Sequence, residues 1–547
     1  MANKLKFLLL RQIAAFAVIC CTSANLWSQS VPWYHQTSIY QIYPRSFFDT
    51  DGDGIGDLKG IISRLDYIKG LGFETIWISP FFVSPQADFG YDISDFKAVA
   101  SEYGNMEDAE LLIAETHRRG MRIVFDMVMN HTSDQHAWFK KDLKREGSDY
   151  YLWADKKNNW KGVAGTGWQF NKDRNQYYYT AFLPFQPDLN YRNPEVKNAM
   201  LNNVRFWLNK GVDGYRLDIF NSIYEDSLLR KNPNRFKPIY TNNRPESLAF
   251  AEELRAVCDS FGERMLIGEI IGNRAISRKY CGDKVNNRLT LAFNFEMLRF
   301  KFKAKYFHNL VRNIELDFVQ PFVPTYVFSN HDRRRSLSRL HHNLSKAKLL
   351  HLFQLTVRGV PCMYYGEEIG MTDYRMPYRK ALDPIPHYLK IPRFMVDMAG
   401  ETLNRDEMRT PMQWNKASNG GFSSAEKTWL PVNPNFKVIN ADEQASNTGS
   451  LLNEIRTLMD LRSKNQSLSL GSLKLIESRK MPANMMGYYR NYEGQEILVL
   501  LNFSRLPKEY AVDGDWEILY SLNQSELNAD HLAVFPAYGG LVLKRKI

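Results

Sequence analysis

Two patterns in the sequence predict an α/β protein whose main domain is a (β/α)8 TIM barrel. Short apolar runs alternate with amphipathic helical segments from about residue 38 to residue 365, as in a closed parallel sheet surrounded by helices. Several runs also end in acids or a histidine, as in 122–131, 214–220 and 265–271. Because the active sites of such barrels lie at the C-terminal ends of the strands, these polar ends indicate one shared site.

Eight strands are expected in chain order. They are predicted at residues 38–43, 75–79, 122–126, 214–220, 265–271, 290–295, 324–330 and 361–365. Between them, apolar residues at helical spacing predict helices, most clearly over 57–70 and 106–120. Both helices lead into a strand, as a βα unit requires.

Three regions interrupt or follow the predicted barrel, which covers 32–131 and 190–465. The connection 132–189 is longer than a βα unit requires, so it is predicted to form a small inserted domain, domain B, above the site. A second, proline-rich insertion covers 371–436. Short alternating strands over 470–547 predict a C-terminal antiparallel β-sandwich.

The length and composition exclude several classes of protein. A chain of 547 residues exceeds one hydrophobic core, and its 44% hydrophobic content is typical of ordered globular domains. The net charge of +11 arises from 71 basic residues interspersed with 60 acidic ones, which indicates a solvated surface. We therefore expect no nucleic-acid partner. A sugar-sized neutral substrate is compatible with this balance.

The first 24 residues are predicted to be a secretory signal peptide. A basic segment ending at Arg11 precedes the apolar run 13–21 and small residues at 22–24. The run is too short to span a membrane, so the protein is expected to be exported, either periplasmic or secreted. Lipid attachment at Cys20 is less favoured, because Ile19 is bulkier than a lipoprotein cleavage site normally accepts.

Three cysteines remain beyond this segment, too few for a disulfide framework. They are Cys258, Cys281 and Cys362. The sequence leaves open whether Cys258 and Cys281 pair.

The fourth strand carries the strongest chemical signal. Along 214–218, Arg216 and Asp218 project to the same side. An isolated pair of this kind usually indicates a partly buried salt bridge. Here Glu269 and Asp332 also follow strand-like runs, so a shared site becomes the better interpretation.

Several motifs, in order, resemble glycoside hydrolase family 13, the α-amylase family, within its oligo-1,6-glucosidase and α-glucosidase branch. They are the segments 41–47, 90–93, 126–131, 214–218, 268–269 and 330–332. Segments 186–190 and 409–414 resemble markers of this branch. The similarity covers nearly all of the chain beyond the signal.

This resemblance implies three acids with separate roles in a retaining mechanism. Asp218 would be the nucleophile, Glu269 the general acid/base, and Asp332 the acid that holds sugar hydroxyls and stabilises the transition state. Arg216 would keep Asp218 ionised, whereas Glu269 needs a less solvated setting to stay protonated.

The resemblance also implies a set of substrate-binding residues. They are Asp88, Tyr91, His131, Phe182, Gln186, Arg216, His331 and Arg409. Without the motif, a buried histidine is usually structural, and Phe182 is as readily explained by packing. In this family a Val after the nucleophile tends to accompany α-1,6 cleavage, and Thr or Ala α-1,4 cleavage. Ile219 is β-branched and apolar like Val, so it resembles the α-1,6 case, but it does not decide the linkage.

Segment 49–57 places acids at alternate positions, which suits a hard cation bound by oxygen atoms. It is not a complete EF-hand, because Gly60 stands where the bidentate Glu belongs. The resemblance implies a structural Ca²⁺ or Mg²⁺ at Asp49, Asp51, Asp53, Ile55 and Asp57. No organic cofactor is expected.

The basic run 333–335 directly follows Asp332. Related sucrose isomerases carry an Arg-containing loop slightly farther along that steers the product. We predict that the run is mostly a solvated rim.

The leading prediction is an exported, exo-acting retaining α-glucosidase. It would remove terminal non-reducing α-linked glucose, α-1,4 and/or α-1,6, from maltose, isomaltose or sucrose. A sucrose isomerase or transglucosylase on the same scaffold is the alternative. A non-catalytic amylase-like binding protein is disfavoured, because the three acids are present and no membrane span follows the signal. We expect a monomer or weak homo-oligomer.

Overall fold

The computed structural model describes residues 31–146, 149–234 and 237–546, so the predicted signal peptide lies outside the described residues. Eight parallel strands form the central sheet and confirm the predicted TIM barrel. These strands, β1 to β8, are Ile39–Ile42, Thr75–Ile78, Arg122–Val128, Gly214–Asp218, Met265–Gly268, Leu291–Ala292, Thr325–Val327 and Val360–Tyr364.

The strands follow one another around the barrel in chain order. Parallel backbone ladders join β1 to both β2 and β8. Between β6 and β7, the hydroxyl of Thr325 donates to the carbonyl of Ala292 at 2.8 Å. Since all eight strands are parallel, their C-terminal ends lie at one end of the barrel, where the predicted acids are found.

Helices cover the outside of the barrel. The principal ones are Leu58–Ser63, Leu65–Gly70, Met106–Arg118, Pro194–Asn209, Pro245–Asp259, Arg274–Tyr280, Ala304–Asp317, Leu344–Thr356 and Leu451–Lys464. Met106–Arg118 begins with a capping box between Asn105 and Asp108, and its apolar face is buried. The helix predicted over 57–70 is interrupted at Arg64, whose φ of −112° is not helical.

Strand β4 ends earlier than its apolar pattern predicts. Ile219 has a φ of 34°, in the left-handed region that β-branched residues rarely adopt, so the chain turns immediately after Asp218. At the other end of the strand, a Cβ on Gly214 would overlap the carbonyl oxygen of Met265. Glycine therefore permits the close approach of β4 to β5.

An inserted segment follows β3, as predicted. It contains helix Ala137–Leu143 and an antiparallel sheet of Trp153–Ala154, Trp168–Asn171 and Gln176–Tyr179. Trp160 stacks on Trp168 at a centroid distance of 5.7 Å. A bridge from His131 to Asp188 connects the segment to the end of β3, and a bridge from Tyr151 to Leu189 lies within the segment.

The C-terminal region forms the predicted antiparallel β domain. Its larger sheet contains Ser472–Leu475, Met485–Tyr492, Gln495–Asn502, Gly540–Arg545 and Trp516–Leu522, in that spatial order. Buried Arg462 and Arg490 donate to the carbonyls of Gly359 and Thr356. These hydrogen bonds join the domain and the last barrel helix to the loop before β8.

Three buried cysteines, Cys258, Cys281 and Cys362, are free thiols, so the pair left open by the sequence does not form a disulfide. Within the described residues, no helix has the length and apolar character needed to cross a membrane.

Candidate active site

Arg216 occupies the centre of a carboxylate cluster at the C-terminal end of the barrel. Its side chain is 2% exposed and extends from β4. One terminal nitrogen, Nη1, donates to Asp218 Oδ1 at 2.6 Å and to Asp126 Oδ1 on β3 at 2.8 Å. The other, Nη2, donates to Glu269 Oε2, just beyond β5. One guanidinium therefore contacts three carboxyl groups.

Asp218 and Glu269 contact the two terminal nitrogens of the same guanidinium, so their carboxyl groups lie side by side. Burial raises the pKa of Asp218 to about 6, although Arg216 opposes the shift. Burial raises the pKa of Glu269 to about 8, again against the effect of Arg216. At pH 7 the two groups therefore prefer opposite states, with Asp218 ionised and Glu269 protonated.

Asp332 faces this pair from the loop after β7. Its Oδ1 accepts from Arg409 Nη2 at 2.9 Å and from Arg405 Nη1 at 3.4 Å. Burial would raise its pKa, but a hydrogen bond from His331 and the charges of Arg405 and Arg409 hold the pKa well below the ordinary value. Asp332 is therefore a stable carboxylate, able to accept hydrogen bonds from sugar hydroxyls.

Histidine 331 and Tyr91 form the wall behind these acids. The His331 Nε2 atom lies 2.8 Å from the Tyr91 hydroxyl, and that hydroxyl donates to Asp126 Oδ2 at 3.0 Å. Gln41 on β1 contacts His331 Nδ1 at 2.8 Å. Burial lowers the pKa of His331, so the ring is neutral at pH 7. The network links β1, β3 and β7 and fixes the orientation of both rings.

His131 and Asp88 complete the side of the site nearest the inserted segment. His131 Nε2 contacts the carbonyl of Tyr91 at 3.1 Å, and burial lowers the pKa of His131 to about 4. Asp88 accepts from Gln186 Nε2 at 3.0 Å and from Arg405 Nη2. Phe182 packs beside His131, with ring centroids 5.7 Å apart.

A small inner recess of about 40 Å³ opens into an outer cavity of about 610 Å³. The recess is lined by Asp88, Tyr91, His131, Phe182, Asp218, Ile219, Glu269, Asp332 and Arg405. Of the predicted residues, the remaining four lie behind this lining and support it: Gln186, Arg216, His331 and Arg409.

Arg405 is the lining residue that the sequence analysis missed. It belongs to the short 3-10 helix Arg405–Met408, and it contacts Asp88, Asp332 and Asp383. Arg409, which was predicted for the pocket, is fully buried and donates to the carbonyl of His331. Only the position of Arg405, four residues before Arg409 in a conspicuously charged stretch, could have drawn attention to it.

The prediction of a solvated rim is wrong for the last residue of the basic run 333–335, whereas the side chains of Arg333 and Arg334 are 40% and 30% exposed. Arg335 is 1% exposed and donates to the carbonyl of Tyr365. Arg334 donates to Asp373 at 2.8 Å, while Arg333 lines the outer cavity. The three arginine side chains therefore differ in exposure and in hydrogen-bond partners.

The acidic loop brings three carboxylates together. Ligand oxygens of Asp49, Asp51 and Asp57 lie within 4.8 Å of one another. Asp53 instead accepts from the backbone amide of Ile55 at 2.7 Å. A tight group of three carboxylates is a donor set that fits a hard cation such as Ca²⁺.

Comparisons with known proteins identify a family and several relatives that this chain resembles. The family described as "Alpha amylase, catalytic domain" matches residues 41–471. A probable alpha-glucosidase of Rhizobium meliloti is 37% identical over 523 residues, which are 88% of this chain and 91% of that protein. An oligo-1,6-glucosidase of Halalkalibacterium halodurans is 35% identical over 520 residues, covering 87% and 91%.

One similar solved structure is an isomaltulose synthase mutant from Erwinia rhapontici in complex with its natural substrate sucrose. It has a TM-score of 0.85 and 31% identity, and the alignment covers 94% of this chain and 99% of that one. The match to the family over most of the barrel and the extent of these similarities lead to one conclusion. The chain belongs to the α-amylase family of glycoside hydrolases.

Proposed function

We propose that the protein is an exo-acting retaining α-glucosidase that releases terminal non-reducing glucose from short α-glucosides such as maltose, isomaltose or sucrose. The observation that carries the proposal is the close pair of Asp218 and Glu269 in a small inner recess, both contacting Arg216. The names of the relatives, an alpha-glucosidase and an oligo-1,6-glucosidase, support the same substrate class.

The proposed reaction has two displacements. In the first, the Asp218 carboxylate bonds to the anomeric carbon while Glu269 gives its proton to the departing glycosidic oxygen. In the second, ionised Glu269 takes a proton from water as the water oxygen displaces Asp218, and glucose leaves. Each protein group returns to its starting state, so protons and electron pairs balance.

The arrangement favours retention over inversion. An inverting enzyme needs about 6.5–9.5 Å between its carboxyl groups to admit a water molecule, whereas a retaining enzyme needs about 5–5.5 Å. Asp218 and Glu269 contact neighbouring nitrogens of one guanidinium, which favours the shorter separation. Asp88, Asp332 and Arg405 would hold the hydroxyls of the bound glucose.

The small size of the recess supports exo action. Buried His131 and Tyr91 line only the inner recess, while the outer cavity is much larger. A chain end fits this shape better than an internal residue of a polysaccharide. Ile219 lines both spaces and is positioned to influence the choice between α-1,4 and α-1,6 linkages.

The test is product analysis with maltose, isomaltose and sucrose, using Asp218→Asn as the inactive control. Proton NMR of the first product should show α-glucose before mutarotation. Initial formation of β-glucose would contradict the retaining mechanism. Glucose release that survives in the Asp218→Asn variant would contradict the assignment of the nucleophile.

A sucrose isomerase or transglucosylase is the second candidate. The similarity to an isomaltulose synthase favours it, as does the charged outer cavity, which contains Arg299 and Arg333. Both activities share the first displacement and differ in whether water or a sugar attacks the intermediate. Accumulation of a new disaccharide from sucrose, in place of glucose and fructose, would establish this alternative.

We further propose that Asp49, Asp51 and Asp57, with Asp53 and the carbonyl of Ile55, hold a structural Ca²⁺ or Mg²⁺. Such an ion would stabilise the loop after β1 and would take no part in the reaction. A chelator should lower the melting temperature, and Ca²⁺ should restore it. An Asp49→Asn variant should not respond, and an unchanged melting temperature would contradict the proposal.

Export and a monomeric or weakly associating state complete the proposal. The basic and apolar segments within residues 1–24 support export to the periplasm or the medium. N-terminal sequencing of protein recovered outside the cytoplasm, together with light scattering, tests both points. Protein that stays cytoplasmic with residues 1–24 intact would contradict export.

A further inference from the structure

The outer cavity continues into a second cavity of about 740 Å³, which we call the basic cleft. Leu298, Arg299 and Thr402 belong to the walls of both spaces. The cleft therefore adjoins the side from which a leaving group would extend when glucose occupies the inner recess. Its charged lining residues are Arg299, Lys301, Arg334, Arg339, Arg375, Arg393, Asp373, Asp397, Glu401 and Glu407.

All four acids of the cleft already have arginine partners. Arg299 contacts Glu401 at 3.0 Å, and Arg334 contacts Asp373 at 2.8 Å. The other two pairs are Arg393 with Glu407 and Arg375 with Asp397. These pairs account for four of the six lysine and arginine side chains.

The other two cations, Lys301 and Arg339, have no carboxylate contact among the described residues. Arg339 donates to the carbonyls of Leu298 and Phe328 and lies 4.3 Å from the centre of the Phe300 ring. Its Nε is buried without a hydrogen-bond partner. Burial lowers the pKa of Arg339 to about 10, so the group is still cationic at neutral pH.

The histidines His341 and His342 add further donors at the exposed edge of this cleft. Both have positive φ, of 54° and 60°, in the turn before helix Leu344–Thr356. The lining of the cleft therefore carries six lysine and arginine side chains against four acids, together with several N–H donors. Oxyanions are the ligands that such a combination binds best, because guanidinium and ammonium groups form charge-assisted hydrogen bonds with them.

We propose that the basic cleft binds an oxyanion carried by the leaving group, so that the substrates include α-glucosides whose aglycone bears a phosphate, sulfate or carboxylate group. The inference rests on the proposed function, because the inner recess decides which end of the substrate reaches the cleft. Neutral disaccharides would occupy only the recess and the outer cavity.

The test compares kcat/KM for maltose with that for maltose phosphorylated on its reducing-end glucose. We expect the phosphorylated substrate to be preferred by about tenfold, the effect of one strong charge-assisted hydrogen bond, and the preference to weaken in high salt. Matched substrates with a sulfate or a carboxylate in place of the phosphate identify which oxyanion is bound best.

Two single-charge variants make the comparison specific. Lys301→Gln removes a cation from the cleft, whereas Lys303→Gln removes one from an exposed position two residues away that is not part of the cleft wall. We expect Lys301→Gln to reduce the preference for the anionic substrate several-fold, with little change for maltose. Lys303→Gln should leave the preference intact.

The outcomes separate this inference from the proposed function. If maltose is hydrolysed but no anionic substrate is preferred, the inference is wrong and the proposed function stands. Equal effects of the two lysine variants would also overturn it. If neither neutral nor anionic substrates release glucose, the proposed function itself fails.

Discussion

The inner recess and the basic cleft are adjacent, yet they use charged side chains in different ways. At the recess, Asp218 in the lining and Arg216 and Asp126 behind it are buried, and they share hydrogen bonds between neighbouring barrel strands. In the basic cleft, Arg375 pairs with Asp397 on loops and short helices, and its side chain is 70% exposed. A buried charge without its partner is costly, whereas an exposed pair contributes little to stability.

This difference indicates how well each region should tolerate amino-acid substitutions. The recess depends on several groups at once, so a single substitution should damage both chemistry and folding. The basic cleft tolerates substitution, because water can replace a lost partner. We therefore expect the reaction type to be determined by the recess and the choice of leaving group by the outer regions.

The largest effect is expected for Asp218→Asn in the recess. The amide cannot form the covalent intermediate, so kcat should fall by about 10⁴-fold or more, as for other essential catalytic groups. Turnover of maltose and isomaltose measures the loss, with circular dichroism as the folding control. If the folded variant kept a kcat within tenfold of the parent, the recess would not determine the reaction type as proposed.

Arg216→Met should cost both activity and stability. It removes the cation from three carboxyl groups, so the free energy of unfolding should fall by about 3–5 kcal/mol, as for other broken buried pairs. The pKa of Asp218 should rise, because its charged form loses a partner, and the acidic limb of the pH profile should move to higher pH. Urea unfolding and the profile measure the two effects.

Arg216→Lys is the matched control, because it keeps the charge but not the forked geometry. It should preserve the position of the acidic limb better than Arg216→Met. An acidic limb that is identical in both variants would mean that the charge of Arg216 does not tune Asp218.

Arg405→Gln should lower kcat/KM by about 100-fold, because the residue contacts both Asp88 and Asp332 in the recess. Arg299 lies in the wall shared by the outer cavity and the basic cleft, so Arg299→Gln should lower kcat/KM for neutral substrates by only a few-fold. Steady-state kinetics with isomaltose compares them. Equal losses of kcat/KM in the two variants would contradict the contrast between the inner recess and the outer regions.

The pH profile of kcat/KM should be bell-shaped, with limbs near pH 6 and pH 8. Below about 6, protonation of Asp218 removes the nucleophile; above about 8, ionisation of Glu269 removes the proton for the leaving oxygen. The rate should fall tenfold per pH unit beyond each limb. A Glu269→Gln variant assayed with a substrate whose leaving group needs no proton should lack the alkaline limb.

The smallest effect is expected for Ile219→Val, at the boundary of the two cavities. Loss of one methylene should change the ratio of isomaltose to maltose hydrolysis by a few-fold, less than the roughly tenfold or more expected in a closed pocket, because Ile219 borders the outer cavity. The ratio of the two kcat/KM values measures it. A complete switch of linkage would mean that Ile219, and not the outer loops, controls selectivity.

The sequence by itself predicted the barrel, the C-terminal β domain and the positions of the three acids, because these signals are local. Strand periodicity and short motifs each lie within a few consecutive residues, as in 214–218. Parallel strands then bring their C-terminal ends together, which makes a shared site of Asp218, Glu269 and Asp332 predictable without coordinates.

Only the tertiary structure decided contacts between distant parts of the chain. Arg405 reaches Asp88 across 317 residues, and no periodicity encodes that distance. Burial of Arg335 and the shared contacts of Arg216 likewise depend on how loops and strands pack. The pKa difference between Asp218 and Glu269 has the same origin, because desolvation is a property of the folded environment and not of the residue.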